Sequence, residues 1–132
     1  MHDLYRPTRQ AFGTGALSWL TCNPYLQLYN GSYNAAVDHI YLTSVPAAGR
    51  VGAAIKINEI SMDDGIARAA PVELGIVYAG SYVVGGLIYA SSGAESSSRL
   101  IACYANVLGL PGIIPAGGSI WTWDSVNGLF RV

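Results

Sequence analysis

Apolar residues along this chain come in short runs cut by Gly, Asn, Ser and Pro, and the spacing that marks one face of a helix is nearly absent. Runs rich in β-branched and aromatic side chains with such punctuation read as strands. The pattern predicts them over residues 16–21, 25–29, 51–62, 72–78, 82–90, 100–107, 119–124 and 129–132. About six to eight short, mainly antiparallel strands predict an all-β fold, a single-domain β-sandwich or small barrel over residues 16–132. The polar residues 1–15 are expected to form an extended N-terminal arm that docks on a neighbour.

The joints have local reasons. Asn30-Gly31 and Asn127-Gly128 suit turns with positive φ, and the second lies between two short aromatic runs, a hairpin signal. Asp63-Asp64-Gly65 ends the strand before it, and Ala79-Gly80-Ser81 turns between two strands expected to be antiparallel neighbours. Residues 33–44 read as a loop with a short helical turn that Pro46 stops. The serine-rich stretch 91–98 reads as a flexible loop.

Composition changes what such a fold must do. Among 132 residues 52% are hydrophobic and only 11% are charged, against about 25% in soluble domains. A domain of this size has more surface than core, so uncharged surface is left for something to cover. Residues 10–37, 74–94 and 100–123 carry no charge, yet Asn and Pro interrupt the first, Gly and Ser the second, and Gly and Pro the third, which argues against membrane spans. Seven basic and eight acidic residues, with Lys56 the only lysine, leave no phosphate-binding cluster and argue against nucleic acid. A net charge of -1 favours self-association. No apolar leader follows Arg6 and Arg9, so Cys22 and Cys103 are expected to stay free in a reducing compartment.

Groups for chemistry are sparse. Asp38-His39 is an acid–histidine neighbour pair inside the chain, and His2 stands beside Asp3 near the N-terminus. Glu59, Asp63 and Asp64 lack the later oxygen ligands of a calcium loop, and the cysteines and histidines never reach zinc spacing. Gly13-Thr14-Gly15 and Gly85-Gly86 lack the lysine of a phosphate-cradling loop. No catalytic residue, metal or cofactor is expected. The aromatics are the richer set. Trp121 and Trp123 share one face of their strand, as core or as a contact patch, and Tyr25, Gln27 and Tyr29 share a face that reads as wettable and sticky. With Tyr5, Arg6, Arg9 and Phe12 of the arm, these residues are the candidate interface.

In the C-terminal half, Leu87-Ile88-Tyr89 precedes Ser98-Arg99-Leu100-Ile101-Ala102, then Gly109-Leu110-Pro111, Pro115-Ala116-Gly117-Gly118, Trp123-Asp124 and Phe130-Arg131-Val132. Earlier come Leu4-Tyr5, Arg9, Phe12-Gly13, Trp19, Val45-Pro46, Arg50-Val51 and Gly65-Ile66-Ala67. This succession resembles small structural proteins of tailed bacteriophages over nearly the whole chain. It departs from them at Thr21-Cys22-Asn23-Pro24 and Ser91-Ser92-Gly93, where the relatives carry Asp and Thr.

The resemblance implies a non-enzymatic virion protein, made in the host cytoplasm. The expected role is a capsid decoration, or cement, protein that binds and stabilises the major capsid shell and associates with itself as a trimer or other homo-oligomer. A tail, neck or fibre-attachment protein is the alternative. From another class, a carbohydrate-binding module would use Trp121 and Trp123 as exposed stacking platforms.

Overall fold

A computed structural model describes residues 3–75, 78–125 and 127–131. Positions 76 and 77 of the expected strand 72–78, position 132 of the last one, and His2 lie outside the described residues. The chain is mostly β, with several antiparallel sheets, one short helix and no closed barrel among the described residues.

The strands are β1 (Asp3–Leu4), β2 (Pro24–Tyr29), β3 (Arg50–Lys56), β4 (Ser61–Asp63), β5 (Ile66–Arg68), β6 (Val72–Leu74), β7 (Tyr82–Val83), β8 (Gly85–Ala90), β9 (Arg99–Ala105), β10 (Gly112–Ile113), β11 (Ser119–Trp121) and β12 (Phe130–Arg131). The central sheet has the order β1-β9-β8-β2-β3; around it lie the pairs β10-β7 and β11-β6 and the sheet β12-β5-β4.

Both faces of the central sheet are buried, which explains the long apolar runs. Along β2 and β8, Leu26, Leu28 and Ile88 enter a core shared with Trp19, Ile57, Ala67, Trp121 and Phe130. Their neighbours Tyr29 and Leu87 point the other way, into a second core with Tyr5, Tyr33, Leu42 and Val45. A bulge between Ile88 and Tyr89 leaves Ile101 without a register partner, so Ile101 and Ala102 both reach the first core.

The N-terminal segment is not an extended arm. After β1, the helix α1 (Arg6–Gly13) begins with Pro in its first turn and buries Thr8 and Ala11. Tyr5 is fully buried, and the Thr8 hydroxyl donates to the Leu100 carbonyl. These anchors hold the segment on its own sheet.

Other expectations are corrected by tertiary context. Residues 19–21 form a 3-10 turn that drives Trp19 into the core, its indole donating to Arg68 O at 3.3 Å. The expected strand 51–62 divides into β3 and β4, and Glu59 between them has φ 53. The strands flanking 79–81 are not neighbours, because β6 pairs with β11 and β7 with β10. Likewise β11 and β12 form no hairpin, although Gly128 has φ 61. Asn30 and Gly31 turn without positive φ; the Asn30 side-chain Oδ1 accepts from Ser32 N at 2.9 Å.

Asp64-Gly65 is the two-residue loop of the β4–β5 hairpin, with φ 51 and 77. Both values being positive marks a type I′ turn. The 91–98 loop is tied rather than loose: Ser92 bonds Ser97 at 2.6 Å, Ser98 donates to Ala94 O at 2.8 Å, and Glu95 pairs with Arg50.

Candidate interaction surface

The nine candidate residues divide by burial. Tyr5, Gln27, Tyr29 and Trp121 are core residues, so they offer a partner no surface. Phe12, Tyr25 and Trp123 are half-buried, and only Arg6 and Arg9 are exposed. The face carrying Tyr25, Gln27 and Tyr29 is covered because residues 33–45 fold across it, a long-range event with no local signal.

Each buried polar group on that face has a partner. Gln27 stands opposite residues 52–54, where the β2–β3 register is bulged. Its amide nitrogen donates to Leu28 O at 2.9 Å and Gly52 O at 3.1 Å, with Val51 O at 3.4 Å. The side chain thereby donates to carbonyls beside the bulge.

A chain of hydroxyls runs through the second core. Tyr29 Oη lies 3.2 Å from Cys103 Sγ, Tyr5 Oη 2.7 Å from Tyr33 Oη, and Tyr33 Oη 3.0 Å from His39 Nδ1. His39 thus serves a buried network, a role its sequence neighbourhood did not signal. Burial pushes the Tyr5, Tyr29 and Cys103 groups up and raises Tyr33 to about 12. Cys22, free like Cys103, is pushed up to about 11, again by burial. Both thiols are therefore held protonated, the state of least nucleophilicity. Among the described residues no three metal-ligating side chains cluster.

Trp121 and Trp123 do share a face, with ring centroids 6.1 Å apart, and that face is turned inward. Trp123 also donates its indole N–H to Ala70 O at 3.0 Å. Beside it lies an open groove of ≈ 580 Å³, lined among others by Arg9, Tyr104, Leu108, Trp123, Asp124 and Arg131.

Large apolar residues that the sequence reading did not single out stand exposed on short or irregular elements. Tyr82 and Ile113 are direct cross-strand partners on the β7–β10 ribbon and are 52% and 67% exposed. Leu20, Val37, Ile40, Tyr41, Met62, Leu108 and Ile120 are exposed as well. Alternation could have flagged Tyr82 against buried Val83, whereas a two-residue strand such as β10 gives no periodic signal.

No known protein family, curated protein or solved structure matches this chain.

Proposed function

We propose that this chain is a non-enzymatic structural protein of a tailed-phage virion, a capsid decoration protein that binds the major capsid protein and stabilises the shell. The observation that carries the reading is the exposed Tyr82–Ile113 pair. It lies within the uncharged stretches 74–94 and 100–123, so its own strands bring no charge to the contact. Tyr is a hot-spot residue at such contacts. The scaffold suits the role: a sheet buried on both faces, sandwich-like where the small sheets pack across it, presents short apolar elements rigidly. Each contact is small, and repetition over a lattice of identical sites multiplies it by avidity. The phage resemblance assigns the kind of assembly.

The test is the copy number of the chain in intact virions by mass analysis. A number on the scale of the capsomer count supports decoration. A number matching a single ring overturns decoration and assigns the chain to the neck or tail. The sugar-binding alternative receives less support, because the Trp121 ring is buried and the Trp123 N–H is already bonded.

A further inference from the structure

We infer that copies of this chain bind one another head to tail, through a basic apolar surface on one side and an acidic apolar surface on the other. The inference rests on the assembly reading above, in that exposed apolar residues are taken as contact surface.

The basic surface is continuous. Arg6 N donates to Val37 O at 2.6 Å, which joins the start of α1 to the loop of Val37, Ile40 and Tyr41. Arg99 links the same two segments, donating to Pro7 O at 3.5 Å while its guanidinium lies 5.9 Å from the Tyr41 ring centroid. Val37, Ile40 and Tyr41 are 41%, 38% and 37% exposed. Asp38 offsets one of the two arginines, Arg6 and Arg99. The sum is positive.

The acidic surface is the β4–β5 hairpin. Asp63 and Asp64 stand exposed at its tip and Glu59 just before it. Met62 on β4 and Leu20 on the adjacent 3-10 turn supply the apolar part, 36% and 54% exposed. Lys56 lies at the end of β3, and Arg68 is turned toward Ser125 O at 3.0 Å, so the tip itself is negative.

The Val37–Tyr41 loop and the hairpin lie over opposite faces of the central sheet: residues 33–45 cover the face of Leu87 and Cys103, and the hairpin's sheet covers that of Leu26 and Ile88. Two-fold pairing of either surface with itself would bring like charges together, which disfavours it. Opposite signs on opposite sides instead define a heterologous contact, which closes into a ring or continues as a filament.

Sedimentation velocity tests this. The wild-type chain is expected to associate with concentration at low salt and to dissociate as salt rises, since exposed charges are screened. Two variants keep the fold. Arg6→Glu places a carboxylate at the start of α1, where the helix dipole favours it. Asp63→Lys with Asp64→Asn keeps a residue that tolerates the positive φ of the turn. Each variant alone should associate at least about tenfold more weakly, and an equimolar mixture should recover, because unlike surfaces are again available. Association by Arg6→Glu as strong as wild type, or a mixture that stays monomeric, overturns the head-to-tail contact. A wild-type chain that is monomeric at low salt overturns it too, while the decoration reading, tested by copy number on particles, would stand.

Discussion

Gly86 lies directly beneath the indole of Trp121: a Cβ added at Gly86 would sit 2.8 Å from Trp121 Cη2 and 3.0 Å from Leu26 Cδ1. One of the two indoles buried in the first core therefore packs on bare backbone of the central sheet. Gly86→Ala should cost about 1–3 kcal/mol, the usual penalty of overpacking. Gly85→Ala should cost more, since its Cβ would meet the Tyr104 backbone carbonyl rather than a side chain that can shift. Urea unfolding of both variants gives the comparison, and the reverse order would show that the two packing sites have been misjudged.

Gln27 closes the β2–β3 bulge with its amide, so Gln27→Leu leaves the Leu28 and Gly52 carbonyls without that donor. The expected loss is about 1–3 kcal/mol, the cost of orphaned buried polar groups. Gln27→Glu should be worse, because a carboxylate would face carbonyl oxygens. A urea midpoint unchanged in Gln27→Leu would mean that the bulge is satisfied in another way.

Alkali should unfold the protein. In the unfolded chain a thiol ionises near 9.0 and a phenol near 10.0, whereas burial holds Cys22 up to about 11 and Tyr33 up to about 12 in the fold, with Cys103, Tyr5 and Tyr29 raised as well. The folded state then retains protons that the unfolded state has lost, so stability falls as pH rises. This contribution is complete below about pH 9 and disappears as pH climbs through 11 to 12. Melting temperature followed against pH should be flat near neutrality and decline above pH 9. A decline that begins below pH 8 would point to other groups.

Neither thiol should react with a chromogenic disulfide reagent in the native protein at neutral pH, and both should react after unfolding. Cys22 and Cys103 are buried and kept protonated, which withholds the reactive thiolate. Rapid labelling of the native chain would contradict their placement.

Tryptophan emission should be blue-shifted and poorly quenched by iodide, because Trp19 and Trp121 are buried and Trp123 is half-buried. Red-shifted, quenchable emission would return the sugar-binding alternative to consideration.

Much of the sheet was legible because its strands satisfy local rules. The runs 25–29, 82–90 and 100–107 lie in β2, β7–β8 and β9, and Asp64-Gly65 turns a hairpin where the strand was expected to end. What local pattern does not carry is which second layer covers each face. Tyr25, Gln27 and Tyr29 look like a wet face because their polar atoms are visible in sequence, while the folding back of residues 33–45 over that face leaves no local pattern. The helix α1 escaped notice because one of its buried positions is Thr8, a polar residue that breaks the apolar spacing. The strands β5 and β10 are too short to show a period. Of the nine candidate residues, Arg6 and Arg9 are the exposed ones, whereas the exposed Tyr82–Ile113 pair depends on register between two segments about 30 residues apart.

The central claim, that this chain decorates a capsid shell, is tested most directly by adding the purified protein to virions that lack it and measuring uptake together with the temperature at which the shells open. The account predicts saturable uptake and a raised opening temperature, both lost when Tyr82 and Ile113 are replaced by Ser. Particles that take up none of the protein, or that take it up through those variants equally well, would contradict it.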